Sequence, residues 1–307
     1  MEEGFALWAN PSSPHGEGRK AKQALENARD RIKRALSWDG ELIFTSGASE
    51  ALWIALNRAK VDRQIVSAVE HDAVFRAAPE AQIFSDDIPL NDRTLLAIQQ
   101  VNSETGTINP VAQMAETARP TGAVIISDCA QSAGKLELPD ADMLVISAHK
   151  FGGPIGVGAL LVRNFALLDP IGGHERGYRQ GTENLPSAMG MAAALEAGDW
   201  ATNARDRAGF AASLNDTRLV IGQPCDYIFA LTHPALSAQA LLIRLDGQGF
   251  AVSAGSACSS GTLKKSRVLD AFGVSDEVAA RTIRVSLGWN STAEELERFV
   301  DAWKSLA

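Results

Sequence analysis

Six short apolar runs, spaced along the first half of the chain, constrain the fold more than any other feature. They are "ELIF" (41–44), "QIVSAV" (64–69), "LLAIQQV" (95–101), "AVIIS" (123–127), "MLVIS" (143–147) and "GALLV" (158–162). Each is the length of a buried strand, and stretches able to form a helix, such as 49–60, 72–80 and 110–119, separate most of them. Strands alternating with helices imply an α/β domain built on a largely parallel sheet. Before the first run, "GRKAKQALENARDRIKRALS" places Ala21, Leu25, Ala28, Ile32 and Leu36 at helical spacing with charges between them, the pattern of an amphipathic helix. Beyond about residue 185 the rhythm changes. An Ala-rich stretch (187–215) reads as one long helix, followed by two further strands, "DYIFAL" and "TIRVSL", and a closing helix at 292–305. The expected division is a large domain over 15–195 and a smaller α+β domain over 196–307 that also takes in residues 1–14.

Open parallel sheets bind ligands beyond the carboxyl ends of their strands. The residues just past the apolar runs are "TSGASE" (45–50), "EHDAV" (70–74), "NSETGT" (102–107), "DCAQ" (128–131) and "AHK" (148–150). Five strand ends therefore deliver Ser, Thr, His, Asn, Asp, Gln and Lys to one rim. Gly47, Ala48 and Ser49 open a helix, where small residues, free N–H groups and the helix dipole suit a phosphate; ordinary capping by Ser46 or Ser49 is the plainer reading. Asp128 ends a buried strand, where a carboxylate calls for a partner such as a protonated ring nitrogen, and Gln131 could donate to a phenolate-like oxygen; a loop-capping Asp is the alternative. Lys150, followed at once by the Gly-rich "FGGPIGVG", would be partly desolvated, which favours Schiff-base chemistry; the alternative is a surface lysine. His71, on the same rim, could stack on a ring or shuttle a proton; a satisfied structural histidine is the plainer reading. A phosphate cradle, a carboxylate for a ring nitrogen and a lysine for an aldehyde together describe pyridoxal phosphate.

Other classes are disfavoured. With 37 acidic against 29 basic residues the net charge is −8, against broad nucleic-acid or anionic-membrane binding. No apolar run approaches the ~20 residues of a membrane span. "MEEGFALWANPSS" is neither a secretory signal nor an Arg-rich transit peptide. Cys129, Cys225 and Cys258 are far apart, which suggests free thiols in a reducing compartment, and no CxxC or HExxH spacing points to a metal. The expectation is a cytoplasmic protein.

"SAHKFGGPIGVGALLVR" (147–163), "GGHERGYRQGTEN" (172–184), "EHDAV", "SAGSACSSGT" (253–262) and "RTIRVSLG" (281–288) together resemble the cysteine desulfurases of the class V aminotransferase family, the type that supplies sulfur for iron–sulfur clusters. The resemblance runs from "NPSSPHGEGRKA" (10–21) to the C-terminus and implies the fold of pyridoxal-phosphate-dependent transferases of fold type I. It implies that Lys150 holds the cofactor as a Schiff base, Asp128 pairs with the pyridinium nitrogen and Gln131 bonds the phenolic oxygen. Ala48, Ser49, Ser147 and His149 would hold the phosphate, and His71 would stack over the ring. Thr182 would reach the phosphate of a neighbouring subunit, which implies a homodimer. Arg284 would clamp the substrate carboxylate, a task suited to its planar fork, with Asn102 and Ser103 also on the substrate. Cys258 would attack the sulfur of bound L-cysteine and take it as a persulfide, leaving L-alanine, and pass it to an acceptor protein such as an iron–sulfur scaffold.

Three departures accompany the resemblance. The family carries an early strand and a "DNAATT"-like segment before the point where this sequence starts, and the region around 198–235 is shorter than its counterpart. Where the family has a second asparagine, this chain has Ser103. Two other readings follow from these: another class V enzyme (an aminotransferase or selenocysteine lyase), or a non-catalytic relative that binds the cofactor. Cys129, Cys225, His15 and His233 receive no role.

Overall fold

The computed structural model describes residues 1–257, 263, 264 and 266–306. Cys258 lies outside the described residues. The chain divides into two units: residues 1–100 with 110–198, and residues 101–109 with 199–307.

Unit 1 is an α/β layer structure. Its strands are β1 (Glu41–Thr45), β2 (Arg63–Val66), β3 (Gln82–Ile83), β4 (Thr94–Ala97), β5 (Val124–Asp128), β6 (Met143–Ser147) and β7 (Gly158–Val162). They form one sheet in the order β1-β7-β6-β5-β4-β2-β3. The pairs from β3 to β6 are parallel, whereas β7 runs antiparallel to both β6 and β1. It follows that β1, β2, β4, β5 and β6 all point the same way and end at one rim.

The apolar runs are continuous because both faces of the sheet are covered. Leu42, Phe44, Leu96, Ile125, Leu144 and Ile146 pack on one side with α2 (Gly16–Ala35) and α6 (Leu185–Ala197). Ile43, Leu95, Ile126, Met143, Val145 and Leu160 pack on the other with α3 (Ala48–Arg58) and α4 (Asp72–Ala77). The alternation within each strand sends neighbouring residues to opposite layers. The helix expected over 18–37 is α2, whose Ala21, Leu25, Ala28 and Ile32 are buried as its periodicity requires.

Two expectations are corrected here. Residues 1–14 belong to unit 1, because α1 (Glu2–Ala6) lies on α6, so close that a Cβ on Gly4 would meet Pro186 Cα at 2.6 Å. The single helix expected over 187–215 is two helices, α6 and α7 (Ala204–Ser213). Gly198, at φ +58°, ends α6 in the left-handed region, and Asn203 starts α7 with a capping box closed by Asp206.

Unit 2 holds α7, β8 (Ile228–Thr232), α8 (Ala238–Asp246), α9 (Arg267–Ala271), α10 (Asp276–Ala279), β9 (Thr282–Ser286) and α11 (Ala293–Ser305). β8 and β9 pair antiparallel, with Ala230 opposite Arg284. Phe210, Phe229, Phe250 and Phe299 form its aromatic centre, with centroid separations of 5.1–5.8 Å. Residues 101–109 also belong to this unit. Val101 pairs with Ile108, Thr107–Ile108 pairs with Gln223–Pro224, and the Gly106 carbonyl accepts from the Cys225 N–H at 2.8 Å.

Candidate active site

In unit 1 the rim is built around three adjacent backbones. Gly158, at the start of β7, lies opposite Thr45 of β1 on one side and Ser147 of β6 on the other. A Cβ on Gly158 would meet Gly47 Cα at 2.8 Å and the Ile146 carbonyl at 2.6 Å, so only glycine fits. Gly47 itself has φ +148°, outside the range of ordinary side chains, and a Cβ there would sit 3.8 Å from Ser147 Oγ. These close approaches bring three backbones together at the start of α3. Neither Ser46 nor Ser49 caps the helix: its N-cap is Gly47, with no side-chain capping bond. The first backbone bond back into the helix comes from Ala51 N–H to the Gly47 carbonyl, so the N–H groups of Ala48 and Ser49 have no intrahelical acceptor. Replacing Gly158 with alanine is expected to displace Gly47 and to lower affinity for a phosphate ligand by about tenfold or more, at an overpacking cost of about 1–3 kcal/mol. Titration of the variant with such a ligand, beside its far-UV spectrum, checks this.

Ser147 is buried, and its Oγ lies 3.0 Å from His149 Nδ1. The His149 ring is held below the usual histidine range, first by loss of solvation and then by the charges of Lys150 and Lys135. A neutral imidazole here can donate to an anion without needing a proton from solvent. Lys150 is half-buried in the single 3-10 turn (Ala148–Phe151) that follows β6. Gly152, at φ +84°, reverses the chain after it, and the Gly153 N–H closes onto the Ala148 carbonyl at 2.9 Å.

Asp128 ends β5, and its Oδ1 accepts the Ala130 N–H at 2.9 Å. Burial pushes the carboxyl above the usual carboxylate range; the Ala130 N–H and the charges of His71 and Lys150 pull the other way. Asp128 is thus within electrostatic reach of His71 and of Lys150, and the three come from three different strand ends. A carboxylate in this setting is stabilised by a close cationic partner. His71 is the N-cap of α4, with its Nδ1 accepting the Ala73 N–H at 3.1 Å. That bond assigns Nδ1 as the acceptor, so the neutral ring carries its proton on Nε2. Gln131 is half-buried in the turn after β5, and its backbone carbonyl accepts from Lys135 Nζ at 3.1 Å.

Thr182 is exposed, on a loop (170–184) that turns through positive-φ glycines at 172, 173, 177 and 181. Glu175 and Arg176 also have positive φ, at 47° and 59°. Glu175 is held there by burial: its carboxylate takes two bonds from Arg29, at 2.8 and 3.0 Å, and the Phe44 N–H at 2.7 Å. A second anchor joins the loop to α3, where Arg179 Nε meets the Glu50 carboxylate at 3.1 and 3.2 Å. The sequence did not mark Glu50, Arg179 or Gly158, because each acts through a neighbour distant in the chain.

These groups fit pyridoxal phosphate. Uncapped N–H groups beside a glycine cradle suit its phosphate, a carboxyl lacking solvation suits its ring nitrogen, and a half-buried lysine suits its aldehyde.

Unit 2 contains Arg284, on β9. Its Nη1 donates to the Ser103 carbonyl at 3.0 Å and its Nη2 to Ser253 Oγ at 3.0 Å. Its Nε is buried with no hydrogen-bond partner among the described residues, and burial lowers the guanidinium pKa against the opposing charge of Glu104. Such a group is stabilised by an incoming anion. The Ser103 main chain, not its hydroxyl, makes the bond to Arg284. Asn102 closes a turn through its side-chain oxygen. It is 1% exposed, and its Oδ1 accepts from Glu104 N–H, Thr105 N–H and Thr105 Oγ1 at 2.9, 3.0 and 3.2 Å, so the side-chain oxygen is occupied in holding a turn. Residues 256–257 pair antiparallel with 263–264, and Cys258 follows this first short strand, outside the described residues.

Cys129 and Cys225 are buried. Burial, reinforced by Asp128 and Glu70, pushes the Cys129 thiol up to about 12, which makes it inert. His15 and His233 cap backbone N–H groups through Nδ1. Among the described residues there is no cluster of His, Cys, Asp and Glu fit for a metal, and no helix long and apolar enough to cross a membrane.

The family described as Aminotransferase class-V matches residues 4–86 and 82–299. A cysteine desulfurase of Cereibacter sphaeroides is 34% identical, with 96% of this chain and 87% of the relative aligned. Cysteine desulfurase IscS 1 of Archaeoglobus fulgidus is 32% identical over 96% and 88%. Among solved structures, a NifS-like protein superposes with a TM-score of 0.84 at 26% identity, covering 99% of this chain and 94% of that one. DndA of Streptomyces lividans gives 0.73 at 31% identity, covering 92% of each. With its lysine, aspartate and glycine cradle on one rim and this similarity along almost the whole chain, the protein belongs to the pyridoxal-phosphate-dependent class V aminotransferase family.

Proposed function

We propose that this protein is a cysteine desulfurase that converts L-cysteine to L-alanine and takes the sulfur onto Cys258 as a persulfide. The observation that carries the reading is the electrostatic reach of Asp128 to both His71 and Lys150, in a unit that also holds the uncapped start of α3. The two relatives named cysteine desulfurase supply the substrate.

Bound pyridoxal phosphate would supply an electron sink for the substrate Cα. The N–H groups of Ala48 and Ser49, with Ser147 Oγ and His149, would hold its phosphate. Asp128 would keep the proton on its ring nitrogen, Gln131 would bond its phenolic oxygen, and the His71 ring would lie over it. Lys150 Nζ then takes the proton from the substrate Cα. Arg284 holds the substrate carboxylate through donors left over from Ser103 and Ser253. The thiolate of Cys258 attacks the substrate sulfur: a new S–S bond forms, the substrate C–S bond breaks, and the carbon skeleton leaves as alanine after protonation.

The family resemblance supports two further parts of the proposal: a homodimer in which Thr182 serves the neighbouring subunit's phosphate, and onward transfer of sulfur to an acceptor protein such as an iron–sulfur scaffold. The sparse, scattered cysteines, two of them buried, support a cytoplasmic setting.

The test is incubation with L-cysteine and a reductant, with alanine and sulfide both measured. Equal amounts are expected. Turnover of another amino acid without release of sulfur overturns the proposal in favour of a different class V reaction. Arg284→Met is expected to raise KM for L-cysteine on the order of 100-fold, the value of a charged hydrogen-bonded pair, with a smaller change in kcat. Arg284→Lys falls between, because an ammonium lacks the bidentate fork. Steady-state kinetics on both variants checks this.

A further inference from the structure

Glu50 stands in the first turn of α3, three residues from its N-cap, and its carboxylate accepts the Ser46 N–H. This places an anion at the same helix end that suits a phosphate. The positive end of a helix attracts both, and like charges so close oppose each other. Arg179 resolves the conflict. Its Nε lies 3.1 and 3.2 Å from the two Glu50 oxygens, and the pair is largely shielded from solvent, with side-chain exposures of 17% and 30%. The same arginine is tied to its own loop, since its carbonyl accepts the His174 N–H at 2.8 Å and its Nη1 donates to the Gly181 carbonyl at 3.4 Å.

We propose that Arg179 is a positioning residue for the cofactor's phosphate: it neutralises Glu50 and holds that carboxylate on Ser46, leaving the N–H groups of Ala48 and Ser49 to the phosphate. The proposal rests on the placement of the phosphate at the start of α3. It assigns Arg179 a role through Glu50 rather than by direct contact, and that distinction makes it testable. The charge conflict vanishes when either the phosphate or the Glu50 charge is removed.

The experiment titrates the cofactor-free protein with pyridoxal phosphate and with pyridoxal, which lacks the phosphate, and takes the ratio of the two affinities. Arg179→Met is expected to lower the ratio about tenfold, with pyridoxal binding close to the parent's. Arg179→Lys is expected to stay within about threefold of the parent, because it keeps the charge. The double variant Arg179→Met with Glu50→Gln is expected to recover most of the lost ratio. Glu50→Gln alone is expected to match or exceed the parent, and this keeps the proposal testable should Arg179→Met fail to fold. An unchanged ratio in Arg179→Met, an equal loss for both ligands, no recovery in the double variant, or a lower ratio in Glu50→Gln alone each overturns the role of Arg179. Failure of the parent to favour pyridoxal phosphate over pyridoxal overturns the phosphate site itself and the proposal with it.

Discussion

Cys258→Ala is expected to release sulfide from L-cysteine on the order of a thousandfold more slowly than the parent, while retaining its cofactor. The size follows from the nature of the step. A thiolate acts as a nucleophile in its own right, and no neighbouring oxygen or nitrogen substitutes for its attack on sulfur. The other two cysteines offer no bypass: both are buried, and burial pushes the Cys129 thiol up to about 12, far above any working pH. Cofactor retention is expected because Asp128, Lys150, Ser147 and the start of α3, which would hold it, all belong to unit 1 and are unchanged in the variant. Adding L-cysteine to the variant is therefore expected to perturb the cofactor's absorption without yielding alanine. Trapping with an alkylating agent after brief exposure to L-cysteine, followed by mass measurement, separates the two proteins. The parent gains one sulfur on the peptide containing Cys258, and the variant gains none.

Lys150→Ala is expected to lose both the covalent link to the cofactor and turnover, the latter by at least about 100-fold to 10,000-fold, the range for a positioned acid–base group. The single 3-10 turn after β6 and the reversal at Gly152 fix where its amine can reach. Arginine is not expected to rescue the variant, since a guanidinium neither forms the link nor gives up a proton at neutral pH. Small primary amines added to Lys150→Ala are expected to restore part of the rate, because they supply an amine of similar basicity in the space left by the side chain. Reduction with borohydride checks the first half: it fixes the cofactor's mass to the peptide carrying Lys150 in the parent and to no peptide in the variant. Full activity in Lys150→Ala would remove the lysine from the reaction.

The layers of unit 1 were readable from the sequence because each strand is a short apolar run, buried on both faces and bounded by polar residues. The rim was readable for the same reason, since polar side chains just past such runs have one place to go. Asp128 lies within electrostatic reach of His71 and of Lys150, from neighbouring positions on that rim. The long helix expected over 187–215 failed on local signals that were present: Gly198 as a left-handed stop and Asn203 with Asp206 as a capping box. Its alanine content suggested continuity, but a glycine cap and a polar restart outweigh propensity. The turn at Asn102 was not readable for a different reason. Whether the side-chain oxygen of an asparagine at a strand end closes its own turn depends on the backbone of residues 104 and 105. The contacts of Gly158 with Gly47 and of Arg179 with Glu50 join residues more than a hundred positions apart. No local pattern encodes such pairs; they follow from the antiparallel insertion of β7 between β1 and β6 and from the path of the loop over 170–184.

The most direct test of the central claim is one sample followed in two ways. The purified protein's visible absorption is recorded before and after addition of L-cysteine under a reductant, and alanine and sulfide are then quantified in the same tube. A yellow protein whose absorption changes on addition of L-cysteine, with alanine and sulfide formed in equal amounts over many turnovers, is the predicted result. A protein that binds pyridoxal phosphate yet shows no spectral change and no alanine with L-cysteine would contradict the account.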